Sequence, residues 1–120
     1  MSKENLNSRE IAKMICDALD EKKAEDIQII DIQKVSVLAD YFIVSHGNNQ
    51  NQLLAMQEEV DKIMYENGIQ AKQIEGNRSS TWILMDYGDV IVHLFLKEDR
   101  LFYNLEKIWQ DGTLLDPEEL

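Results

Sequence analysis

The sequence predicts an α/β (α+β) domain, a mixed β-sheet of about five strands with helices packed on it. Three observations carry that prediction. Two amphipathic stripes, each opened by a cap-like residue, alternate with runs rich in β-branched residues. Two further apolar runs flank Gly88-Asp89 as the arms of a hairpin. Only one proline, Pro117, occurs in 120 residues, so the elements are continuous and their connections short.

In the first helix, Ile11, Met14, Ile15, Ala18 and Leu19 recur at the spacing of one helical face. Asn7 is placed to cap it, Glu10 completes a capping-box pattern, and Leu6 and Ile11 have staple spacing. Asp26–Ile32 reads as a strand. Tyr41–Ser45 is a second, apolar almost throughout, as expected of a central strand buried on both sides. Gly47-Asn48-Asn49 ends it, and Asn49 with Gln52 opens a second helix. Leu53, Met56, Val60, Ile63 and Met64 form that helix's stripe, and Asn67-Gly68 stops it.

Ile69–Ile74 is a weaker, polar strand, placed at an edge, and residues 75–80 form a loop. Trp82–Tyr87 and Val90–Leu96 make the hairpin. A last short helix carries Leu101, Leu105, Ile108 and Trp109. The order is α-β-β-α-β-β-β-α. Residues 1–110 read as a single domain and 111–120 as a frayed acidic tail.

Twelve Lys and Arg against 23 Asp and Glu give a net charge of −11. Such a balance disfavours binding to free nucleic acid, which needs clustered cations. A basic protein partner is the natural complement, and plain solubility is the alternative use of the charge. No apolar run approaches the roughly 18 residues of a membrane span, and the N-terminus has no apolar signal core. With a single cysteine, Cys16, the expected location is cytoplasmic.

Candidate chemistry is sparse. Cys16 lies beside the first helical stripe, where a buried thiol is inert. His46 and His93 are the only histidines and lack the spacing of a zinc site, so no metal and no cofactor are expected. Gly47-Asn48, between strand and helix, reads as a turn and cap rather than an anion cradle. The densest segment is 82–93. Trp82, Leu84 and Asp86 share one strand face, Ile83, Met85 and Tyr87 the other; Ile91, His93 and Phe95 share a face on the next strand. One face must cover the core. The other would display Trp, His and Asp, a hot-spot composition for protein binding, unless Trp82 itself is core.

At these residues the chain resembles the iojap-like ribosomal silencing factor family. The resemblance lies in Asp40-Tyr41-Phe42-Ile43-Val44-Ser45-His46-Gly47-Asn48-Asn49 with Gln52. It continues in Glu75-Gly76, Trp82, Leu84, Asp86 and Gly88-Asp89-Val90-Ile91-Val92-His93-Leu94-Phe95, and then in Arg100, Phe102-Tyr103, Leu105-Glu106 and Trp109. It spans about residues 8 to 110, and His46 departs from it, standing where many relatives carry a small residue.

The resemblance implies a nucleotidyltransferase-like topology without enzymatic activity. It implies binding to the large ribosomal subunit through ribosomal protein L-fourteen, steric exclusion of the small subunit, and repression of translation when nutrients are short. Organellar relatives are linked to large-subunit assembly, and the sequence does not separate the two roles. The expected partner-binding residues are Trp82, Leu84, Asp86, His93, Arg100 and Tyr103. An open apolar sheet face would also pair two copies as a homodimer off the ribosome. The rival class, a nucleotidyltransferase, needs paired carboxylates on one strand, and no Asp-x-Asp or Asp-x-Glu pair lies on one here.

Overall fold

The computed structural model describes residues 6–76, 79–103 and 112–120, without the side chains of 101–103. Its elements are α1 (Ser8–Glu21), β1 (Glu25–Asp31), β2 (Tyr41–Gly47), α2 (Gln50–Glu66), β3 (Gln73–Glu75), β4 (Trp82–Asp86), β5 (Val90–Leu96), α3 (Lys97–Tyr103) and β6 (Thr113–Leu115). A 3₁₀ turn, Pro117–Glu119, follows. The expectations for Leu105, Ile108 and Trp109 lie outside the described residues.

Both long helices start where the sequence supplies caps. Asn7 Oδ1 accepts the Glu10 N–H at 2.8 Å, and Asn49 Oδ1 accepts that of Gln52 at 2.8 Å. Each bond satisfies one amide of the first turn that has no partner within the helix. Gly68, at φ 77°, takes the left-handed conformation past the end of α2.

The sheet order is β3-β4-β5-β2-β1-β6. β2 and β5 run parallel at its centre, which the crossover through α2 makes feasible; the other pairs are antiparallel. One face carries Ile29, Ile43, Ile83, Met85, Val92 and Leu94 into a core with Ile15, Leu19, Met56, Val60 and Met64 of α1 and α2. Cys16 lies buried in that core, and desolvation pushes its thiol up to about 12. The turn joining β4 to β5 has Gly88 at φ 88° in its first central position, and Tyr87 N–H bonds to the Val90 carbonyl at 3.0 Å. A positive φ at this position is one that glycine adopts without steric cost.

Three expectations are corrected. The sheet has six strands, not about five. The extra one lies in the segment expected to fray: Thr113–Leu115 pairs with Asp31–Ile29 of β1, Leu115 and Leu120 pack on the core, and Arg9 Nη2 donates to the Glu119 carbonyl at 2.6 Å. Apolar leucines outweigh the local acidity. The third strand is Gln73–Glu75 rather than Ile69–Ile74, because Ile69 and Ala71 pack against the core before the chain reaches the edge of β4.

Candidate functional site

The sheet face opposite α1 and α2 is built in cross-strand rows. Trp82 lies opposite Phe95, Phe95 opposite His46, and His46 opposite Glu25. Leu84, His93, Val44 and Gln28 form the next row, and Asp86, Ile91, Phe42, Ile30 and Leu114 the third. Each four-strand row spans about 14 Å at ordinary strand spacing. The alternation of β4 and β5 therefore brings Trp82, Leu84, Asp86 and His93 to one side, as the period of two requires.

This face is less open than expected. Ile30, Ile32, Ala39, Val44 and Phe95 form a second buried cluster there, with Phe42, Trp82 and Ile91 half-buried against it. Trp82 stacks on Phe95 with centroids 5.1 Å apart and planes at 30°. Its indole N–H donates to His93 Nδ1 at 3.1 Å. His93 is only 5% exposed, 5.1 Å from the Phe42 ring, and burial pulls its pKa down to about 4. It is therefore neutral at physiological pH. Trp82 is neither fully buried nor exposed: it is half-buried, with Phe95 stacked against its ring.

Asp86 serves the turn, since its Oδ1 accepts the Gly88 N–H at 2.8 Å. Arg100, expected among the partner-binding residues, is buried in a hydrogen-bonded network. It is 6% exposed, and its Nη1 donates to the Asp26 carbonyl at 2.6 Å and to His46 Nδ1 at 3.0 Å. Its Nη2 also meets the Asp26 carboxylate at 3.4 Å. β1 bulges there, with Asp26 at φ 49°. The other nitrogen of His46 meets Glu25 at 3.1 Å, and Asn48 with His46 holds the Glu25 carboxyl below its usual range by hydrogen bonding. Arg100 thus stands over the row that ends in Trp82, two strands away from it. The backbone of Tyr103 lies in α3, and its side chain lies outside the described residues.

One feature escaped the sequence reading. The loop from β1 to β2 exposes Val35, Val37 and Leu38, with Val37 at 102% and Leu38 at 79% of full accessibility. Its flanks, Ile32 and Ala39, belong to the second cluster, so the loop extends the apolar surface beside Phe42 and Ile91. The signal was an apolar run in a connection without glycine or proline. Among the described residues no group of three or more His, Cys, Asp or Glu side chains is placed to hold a metal ion. Nor is any helix of these residues long and apolar enough to cross a membrane.

Comparison with known proteins agrees with the geometry. Residues 5–120 match the family described as "Ribosomal silencing factor during starvation". The ribosomal silencing factor RsfS of Bacillus subtilis is 45% identical over 111 residues, covering 92% of this chain and 94% of that protein. A mouse protein named "Mitochondrial assembly of ribosomal large subunit protein 1" is 30% identical over 99 residues, or 80% of this chain and 43% of its own length. A crystal structure from Chromobacterium violaceum superposes with a TM-score of 0.85 at 33% identity, covering 88% of each chain. In sequence across nearly its whole length, and in fold, the chain belongs to the ribosomal silencing factor family.

Proposed function

We propose that this protein docks on the large ribosomal subunit through ribosomal protein L-fourteen and sterically blocks joining of the small subunit, repressing translation when nutrients are limiting. The observation that carries the reading is the aromatic face: a partly accessible Trp82 backed by the fully buried Phe95 and flanked by Leu84, Asp86 and the exposed Val35–Leu38 loop. An aromatic anchor on a rigid sheet, rimmed by polar groups, is what a protein–protein hot spot requires. The net charge of −11 steers the protein toward a basic ribosomal protein and away from bare RNA. A body of 38 × 32 × 25 Å held at the joining surface leaves no room for close approach of the small subunit.

Off the ribosome the same face pairs two copies into a homodimer, so self-association and docking compete. The name of the mouse relative favours a second reading, in which the docked protein assists large-subunit assembly. Sucrose-gradient profiles decide between them. Purified protein added to separated subunits should co-sediment with the large subunit alone and reduce the joined fraction. Equal co-sedimentation with small subunits would overturn the docking reading. Docking without loss of joined ribosomes would favour assembly.

A further inference from the structure

The docking reading leaves one nitrogen unused. Trp82 donates its only polar hydrogen to His93 Nδ1, so Nδ1 carries the lone pair and the ring proton sits on Nε2. Nε2 is enclosed and has no hydrogen-bond partner among the described residues. The ring lies between Phe42 and Phe95, at centroid distances of 5.1 and 6.4 Å. A buried, unpaired donor lowers stability, and phenylalanine on the same strand would meet these rings without that cost. Packing therefore gains nothing from an imidazole here. What the imidazole supplies is an acceptor for the Trp82 indole.

We propose that His93 is a positioning residue, fixing the orientation of the Trp82 indole on the sheet face so that a partner meets a preorganised anchor. The inference rests on the reading of this face as the docking surface. Stacking on Phe95 sets the plane of the indole. The bond to Nδ1 directs the N–H edge of the ring toward His93 before binding, and an anchor ordered in advance binds more tightly because less is lost on association. With its N–H engaged by His93, the indole offers the partner its ring and not its donor.

The test combines urea denaturation, NMR of the ¹⁵N-labelled indole and pelleting with large ribosomal subunits, on the full chain and three variants. His93→Phe should keep or raise the denaturation midpoint, move and broaden the Trp82 indole resonance, and weaken pelleting by about tenfold. His93→Asn returns an acceptor near the place of Nδ1 and should restore the resonance and bring binding within about twofold of the parent. A His93→Phe protein with a lowered midpoint and an unmoved indole resonance would assign His93 to the core and overturn the inference. Normal pelleting by Trp82→Ala would remove the docking reading and this inference with it. Lost pelleting by Trp82→Ala beside normal pelleting by His93→Phe would remove the inference alone.

Discussion

Arg100 and His46, 54 positions apart in the chain, meet at 3.0 Å through a guanidinium N–H and the imidazole Nδ1. The same guanidinium nitrogen holds the Asp26 carbonyl at 2.6 Å, at the bulge of β1. One side chain thereby ties α3 to two strands and satisfies a carbonyl that the bulge frees from the sheet ladder.

Arg100→Ala should therefore lower stability by roughly 2–4 kcal/mol, since a buried polar network loses its donor. Arg100→Lys should recover little of this, because one ammonium cannot reproduce the forked geometry toward Asp26 and His46. Urea denaturation measures both. A variant of parental stability that no longer pellets with large subunits would instead return Arg100 to the docking surface.

Acid should weaken the fold through His93. Its pKa is drawn down to about 4 by burial, whereas an unfolded chain has the ordinary value near 6.5. Between those values the unfolded state binds the proton and the native state does not, so stability is full above about 6.5 and falls toward 4. From pH 7.5 to 5.0 the expected loss from this residue is about 2 kcal/mol. His93→Phe should flatten that part of the profile, and parallel profiles would show that His93 is not buried neutral. Glu25, whose pKa is lowered by Asn48 and His46, acts with the same sign, its contribution disappearing as acid protonates it.

The strands and helices were legible where burial and periodicity agreed. Ile11 to Leu19 and Leu53 to Met64 announced their faces, and the capping residues Asn7 and Asn49 marked the starts. The Trp82–His93 face was legible from the period of two alone. Arg100 was not, because its partners lie on β1 and β2, and only tertiary pairing brings the bulge beneath α3. β6 was hidden by composition: Asp116, Glu118 and Glu119 make the terminus look solvated, while Leu115 and Leu120 between them supply the burial.

Gly112 tests that last strand. A Cβ added there would lie 2.8 Å from Ile30 Cγ2 and 2.9 Å from the Asp31 carbonyl oxygen, so β6 would have to shift off β1. Gly112→Ala should cost roughly 1–3 kcal/mol, the usual range for an added group in a tight contact. Hydrogen exchange should quicken at Ile29 to Asp31, where β1 pairs with β6, and stay slow in β2 and β5. Unchanged exchange in β1 would mean that the pairing contributes little.

Trp82 and Phe95 separate docking from folding because they stack on each other with different accessibility. Phe95 is fully buried, so Phe95→Ala should cost roughly 3–5 kcal/mol of stability, as large core truncations do. Trp82 is only half-buried, so Trp82→Ala should cost less, about 1–2 kcal/mol, from the apolar area it leaves uncovered. Binding to large subunits should follow the opposite order. Loss of an aromatic anchor weakens association by about 2–4 kcal/mol, whereas a folded Phe95→Ala protein keeps the indole and its bond to His93 and should lose less. Denaturation midpoints and pelleting, measured on both variants under one buffer, give four numbers. If stability and binding fall together in both, the face serves the core alone, and docking moves to the Val35–Leu38 loop. There, Val37→Asp should leave the midpoint nearly unchanged, because Val37 makes no buried contact, while abolishing pelleting.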